Sequence, residues 1–271
     1  STLKVMNQLE RPTREYEAKN NSNNPKVIMS RGNMSIGDSP LTALVEYQVR
    51  TETTTVDEWL DVWQERSQDA LVGEPGTSAY EAARSLQDES HVLVFERYAQ
   101  GQSSLDAHVA RPAHATLMET MGERSMTRRR VMSNQFADIE GYGWWDRAQS
   151  DEPMGDAGIT ITLIGTRFAD SAMKRRYIEV TGEHADYCRD AEPGTLIYSG
   201  GLALRDSDRG PDVKAGDMLF VAAFANEQAA IAHRDDPRHV ALQPTLHEIE
   251  RERTFLLSST STGNGYLWRA R

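Results

Sequence analysis

Glu74-Pro75-Gly76-Thr77, followed by Tyr80, returns 118 residues later as Glu192-Pro193-Gly194-Thr195, followed by Tyr198. The surrounding chain repeats in step with it. His108-x3-Pro112-x-His114 returns as His233-x3-Pro237-x-His239 at an offset of 125, and Gly141-Tyr142-x-Trp144 as Gly265-Tyr266-x-Trp268 at an offset of 124. Three ordered matches at nearly constant offset mark a tandem duplication. Solenoid repeats run only about 20–50 residues, so each copy is a small domain or one half of a closed, two-lobed fold.

Working outward from Glu74, the residues before it form a helix. Thr55-x-x-Glu58 is a capping box, and Val56, Trp59, Leu60, Trp63, Ala70 and Leu71 then fall on one face. Gly73 and Pro75-Gly76 end that helix. The alternating run 44–49 before it reads as a strand. After it, 77–82 and 92–98 read as a strand pair, 103–110 and 113–121 as helices broken at Pro112, and 130–133 as the closing strand. The order β-α-β-β-α-β is a ferredoxin-like split βαβ. The second copy repeats it, with strand 159–166, helix 172–189, strands 195–204 and 218–224, helices 227–234 and 238–249, and strand 253–258. Its hairpin carries eight extra residues around Asp206–Pro211, read as an exposed loop tip. One unit leaves a sheet face and its edges uncovered. Two units packed sheet to sheet cover both, so the chain is expected to form a pseudo-dimeric α+β barrel. The expected divisions are an N-terminal arm (1–40, with a short strand near 27–29), a first domain (41–145), a linker (146–158) and a second domain with its tail (159–271).

Thirty basic and 41 acidic residues give a net charge of −11, which argues against nucleic-acid or anionic-membrane partners. The single cysteine, Cys188, excludes a disulfide framework. No apolar run has the length of a membrane span, and residues 1–30 lack a signal-peptide core, so a cytoplasmic location is expected.

The blocks Glu74-Pro75-Gly76-Thr77-x-x-Tyr80, Val92–Ala99 and Leu105-Asp106-Ala107-His108-x-Ala110-x-Pro112-x-His114 resemble the antibiotic biosynthesis monooxygenase (ABM) domain, of the dimeric α+β barrel superfamily. The likeness covers about 43–133 well. It is weaker over 159–258, where Ala222 and Ala223 stand in place of the family's Glu and Arg. The resemblance implies oxygenation with molecular oxygen and no cofactor, on small aromatic or polycyclic phenols or anthrones of secondary, polyketide-type metabolism. Related folds degrade haem with an Asn-Trp-His set. That chemistry is disfavoured here because His108 stands where the Trp would be.

His114 is spaced with Leu117, Met118 and Met121, and His239 with Leu242 and Leu246, so both point from helix to sheet. His108 shares that inward side. Two roles stand for these histidines and for His233: a general base for a phenolic or anthrone proton, titrating near about 6.5 when free, or a fold signature bonded to backbone. His184, inward beside Tyr177 and Thr181, replaces Arg66 of the first copy and so marks divergence. His108, His233 and His184 are the candidate catalytic residues. Tyr47, Trp59, Trp63, Tyr80, Tyr98 and Tyr198 could wall an aromatic pocket or simply be core. Arg97 could stabilise a developing enolate or pair with a carboxylate. With His114 and His239 these complete the candidate substrate-binding set, and the pocket is expected in the first unit around His108. No His-Glu-x-x-His or cysteine cluster is present, so no metal is expected unless one is assembled between elements. The aromatic tails 141–145 and 265–268 are expected to reach across and cap the partner unit, or to make a dimer contact. Two rivals remain: a cofactor-free cyclase or isomerase using the same base, and a non-catalytic binding barrel.

Overall fold

Each long helix starts where its cap dictates. Thr55 accepts the Glu58 amide at 3.1 Å while Glu58 Oε2 accepts the Thr55 amide at 2.7 Å, which launches α1 (Val56–Gly73). Asp170 accepts the Ala172 and Met173 amides to launch α4 (Ser171–Ala191). This computed structural model describes residues 39–147 and 156–269. The arm over 1–38, with its expected short strand, and residues 148–155 of the linker lie outside them.

The first unit is β1 (Leu41–Val49), α1, β2 (Thr77–Ser85), β3 (His91–Tyr98), α2 (Gly101–Val109), α3 (Pro112–Glu123) and β4 (Thr127–Trp144). The second is β5 (Ala157–Phe168), α4, β6 (Thr195–Ala203), β7 (Met218–Phe224), α5 (Glu227–Asp235), α6 (Pro237–Glu248) and β8 (Arg251–Thr262). The strands form one closed antiparallel barrel in the order β1-β3-β2-β8-β5-β7-β6-β4. The two four-stranded sheets face each other and also join at both edges. Ala83–Ser85 of β2 pair with Ser259–Ser261 of β8, and Phe136–Asp138 of β4 with Gly201–Ala203 of β6. Closure leaves no free edge.

Strand alternation then divides the core into three. Leu44, Leu93, Phe95, Phe136, Ile161, Leu163, Leu219 and Val221 fill the barrel. The opposite face of each sheet meets its own helices, around Trp59, Trp63, Tyr80, Leu117 and Met121 in the first unit, and around Tyr177, Tyr198, Phe220, Phe224 and Leu246 in the second. No helix among the described residues is long and apolar enough to cross a membrane.

Two expectations change. The closing strand expected over 130–133 is the 18-residue β4, because its second half pairs with the other unit. The eight-residue insertion is not merely an exposed tip. Ser207, Asp206 and Asp217 side chains satisfy its backbone, and Val213, fully buried, packs into the barrel core.

The aromatic tails do cross over, and reciprocally. Tyr142 bonds Thr181 at 3.0 Å, and Trp144 Nε1 donates to the Ala185 carbonyl at 3.0 Å, both against α4 of the other unit. Tyr266 lies in the first unit's outer core and donates to the Thr77 carbonyl. Each tail ends in an arginine that caps the partner's long helix. Arg147 donates to the carbonyls of Cys188, Glu192 and Thr195, and Arg269 to those of Ala70, Glu74 and Thr77. The Ala70, Glu74, Cys188 and Glu192 carbonyls lie at the helix C-termini, where a cation meets the negative end of the dipole.

Candidate functional site

The repeated Glu-Pro-Gly-Thr block builds a carboxylate holder. Glu74 is the C-cap residue of α1, the turn closes through Thr77 N–H to the Glu74 carbonyl at 3.0 Å, and the Thr77 hydroxyl donates to Glu74 Oε2 at 2.7 Å. Glu192 and Thr195 repeat this at the end of α4, with the same 3.0 and 2.7 Å. Glycine is required at the turn because α2 and α5 pack against it. A Cβ on Gly76 would lie 2.5 Å from Ser104 Oγ, and one on Gly194 2.7 Å from Ala229 Cβ.

The histidine block meets that carboxylate. His108 Nδ1 lies 2.7 Å from Glu74 Oε2, and His233 Nδ1 lies 2.8 Å from Glu192 Oε2. A carboxylate only accepts, so His233 carries its proton on Nδ1 and keeps Nε2 as its acceptor nitrogen, whereas Nδ1 of His108 also has the Arg66 guanidinium 2.8 Å away. Pro112 and Pro237 start the next helices and fold their histidines back. His114 comes within 5.5 Å of the His108 ring, and His239 within 4.6 Å of the His233 ring, centroid to centroid. Burial alone would raise Glu74 and Glu192. The hydrogen bond and charge of the histidine, with the threonine bond, more than reverse this and hold each at about 2. Burial and the neighbouring His108 push His114 down to about 4, and burial with the charges of His233 and His184 pushes His239 to about 3.

From this shared frame the two units diverge. In the first, Arg66 is buried, lies 2.5 Å from Glu74 Oε1 and donates to the His108 carbonyl at 3.1 Å. Arg111 adds a second guanidinium 3.2 Å from Glu74 Oε1. The space between helices and sheet is occupied by aromatic rings. Trp63 lies on Tyr80 at 4.4 Å, Tyr47 on Trp59 at 5.5 Å, and Tyr98 donates to Glu96 at 2.8 Å.

In the second unit, Thr181 stands for Trp63, Ala222 for Glu96 and Phe224 for Tyr98. A pocket opens there, enclosing about 970 Å³ with its mouth included. Tyr177, Thr181, Tyr198, Phe220, Ala222, Phe224, Leu242 and Leu246 line it, with His233 and His239 as imidazoles at the wall. The pocket described is therefore in the unit opposite to the one expected, because two large side chains have become small. His184, 4% exposed, stands behind it, ringed by Tyr187, Tyr198, His233 and His239 at 5.4–6.0 Å.

Thus the structure brings His184, His233, His239 and Tyr198 together in one unit, and His108, His114, Trp63, Tyr80 and Tyr98 in the other. Tyr47 and Trp59 stack one helical turn along the same layer, Trp59 donating to Thr127 Oγ1. Arg97 does not join either group. It lies on the barrel side of β3, paired with Asp138 at 2.7 and 2.9 Å and stacked on Trp145 at 3.4 Å, since residues of odd number on β3 face away from the helices. Sequence reasoning missed Glu74 and Glu192 as histidine partners. Their signal was available: the repeated blocks share one acidic residue.

The family model of the antibiotic biosynthesis monooxygenases matches residues 40–120. A solved structure of a candidate monooxygenase from Lactobacillus acidophilus NCFM superposes with a TM-score of 0.64 at 12% identity, covering 86% of this chain and 98% of that one. A second candidate monooxygenase, from Fusobacterium nucleatum, gives 0.62 at 10% identity, covering 83% and 92%. At such identities these two establish the fold and its two-unit arrangement. No curated protein sequence matches. The first unit of this chain thus carries an antibiotic biosynthesis monooxygenase domain, within a two-unit fold shared with these solved structures.

Proposed function

We propose that the second unit oxygenates a small aromatic substrate of the phenol or anthrone type, using molecular oxygen and no cofactor. The observation that carries this is the open, largely apolar pocket with the Glu192-bound His233 at its wall. A flat ring system is held by Tyr177, Tyr198, Phe220 and Phe224, the aromatic lining such sites commonly have. His233 Nε2 accepts the acidic proton, and Glu192 stabilises the imidazolium that forms. The electron-rich carbanion then reduces oxygen directly. For an anthrone-type methylene the balance is CH2 plus O2 giving C=O plus H2O, so oxygen is the sole oxidant and one of its atoms leaves as water. The match of residues 40–120 to an oxygenase family model supports the same reading.

The experiment is oxygen uptake by the full chain over a panel of phenols and anthrones, repeated anaerobically with product analysis. Turnover that stops without oxygen supports the proposal. Equal product without oxygen replaces it with a cyclase or isomerase using the same base, and an absence of turnover on every compound favours a binding barrel.

A further inference from the structure

The cation that accompanies the first unit's carboxylate is not reproduced in the second. Around Glu74 stand Arg66, at 2.5 Å, and Arg111, at 3.2 Å. The equivalents of these arginines are His184 and Asp236, while Ala70 becomes Cys188. The Asp69–Arg111 ion pair becomes a neutral-to-anion bond, Tyr187 donating to Asp236 at 2.9 Å. Glu192 thus keeps His233 but loses both guanidiniums.

What replaces them is a set of metal-ligating groups. His184 and Cys188 lie one turn apart on one face of α4, and Glu192, its C-cap residue, follows four residues on, near His233 on α5. One donor atom from each of the four residues lies within 4.8 Å of all the others. Tetrahedral bonds of about 2.0–2.3 Å hold ligand atoms within about 4 Å of one another, so a small inward rotation of the side chains completes the site. Two further observations point to a ligand. His184 Nε2 and Glu192 Oε1 are both buried without a hydrogen-bond partner; the equivalent Glu74 Oε1 also lacks a well-aligned hydrogen bond but has the Arg66 and Arg111 guanidiniums as ion-pair partners, which Glu192 Oε1 lacks. His184 is 4% exposed, and a buried polar atom left unpaired is costly.

We propose that the second unit binds one divalent transition metal ion of the zinc class through His184, Cys188, Glu192 and His233, in the place that the Arg66 guanidinium holds in the first unit. Two imidazoles, a thiolate and a carboxylate are a borderline-soft set that suits zinc or cobalt rather than magnesium or calcium. Binding expels the Cys188 thiol proton to solvent as the sulfur–metal bond forms. It also takes His233 Nδ1 from Glu192, leaving the remaining imidazole proton on Nε2. A loaded site therefore excludes proton abstraction by His233, and metal acts as an inhibitor of the oxygenase proposed above. The binding claim itself does not rest on that activity.

The test uses the full chain, stripped with chelator and titrated with Co2+ alone. The expected result is a near-ultraviolet thiolate–cobalt absorption band that saturates at one ion per chain and is displaced by Zn2+. The double variant His184→Arg/Cys188→Ala installs the first unit's own pair at this position. It should keep the parent's circular dichroism and lower Co2+ affinity by about 100-fold or more. If that variant does not fold, Cys188→Ala alone carries the same test through loss of the thiolate band. Absence of the band at stoichiometric Co2+, or undiminished affinity in the folded variant, overturns the proposal.

Discussion

His233 donates its Nδ1 proton to Glu192 at 2.8 Å, the second copy of a bond that His108 makes to Glu74 at 2.7 Å. The bond is common to both units, yet an open pocket accompanies it in the second. Substitutions at the bond and at the pocket wall separate these contributions.

If His233 is the base, Glu192→Gln should lower turnover by about 100-fold or more, because a neutral amide neither fixes the Nδ1–H tautomer nor stabilises the imidazolium. His108→Gln should change turnover by less than about threefold, since the space beside it is occupied by Trp63 and Tyr80. Steady-state oxygen uptake on the best substrate of the panel reads both.

Thr181→Trp restores the first unit's residue at the pocket wall. It should abolish aromatic-ligand binding while leaving folding intact, because Trp63 shows that the layer accepts an indole at this position. Titration calorimetry with a bound aromatic, alongside a thermal melt, distinguishes a filled pocket from an unfolded chain.

Stability should fall in two stages on acidification. His114, His184 and His239 are held by burial at about 4, 4 and 3, below the free value of about 6.5. The unfolded chain therefore takes up protons first, and the stability these groups carry is present above pH 6.5 and lost as pH falls toward 4. Glu74 and Glu192, held at about 2, add a second loss from about pH 4.3 downward. Urea midpoints measured from pH 8 to 3 should show both stages. His114→Gln/His239→Gln should flatten the upper stage and leave the lower; an unaltered profile refutes the assignment.

Glu81 gives the opposite slope. It lies fully buried in the barrel wall with one backbone bond, from Thr262 N–H at 3.2 Å, and burial pushes it up to about 8. Its raised value means that stability is fully present below about pH 4.3 and declines, by about 1.4 kcal/mol per pH unit, until pH passes 8. Glu81→Gln keeps the acceptor for Thr262 and removes the ionisation. It should raise the urea midpoint at pH 8 and leave it unchanged at pH 4.5.

The residues legible in sequence were those tied to local pattern. Thr55 and Glu58 announced the start of α1, Pro112 and Pro237 the helix breaks, and the inward spacing of His114 and His239 placed them against their sheets. The tails at Tyr142 and Tyr266 were open to two roles, a cap on the partner unit or a dimer contact, and the bonds to Thr181 and Thr77 decided for the cap. Arg97 was open to two roles, and only strand parity together with Asp138 decided for the barrel side. The length of β4 was underestimated because its second half pairs with β6 of the other unit.

The sequence by itself determined that this protein is a duplicated ferredoxin-like unit forming an α+β barrel, because periodicity, capping and exposed sheet edges are short-range facts that repeated motifs express twice. Only the tertiary structure decided which copy holds the open pocket and which donors surround Glu192. Those depend on the volumes of Thr181 and Ala222 across a helix–sheet gap, and on His184 and Cys188 turning toward His233 from a different helix.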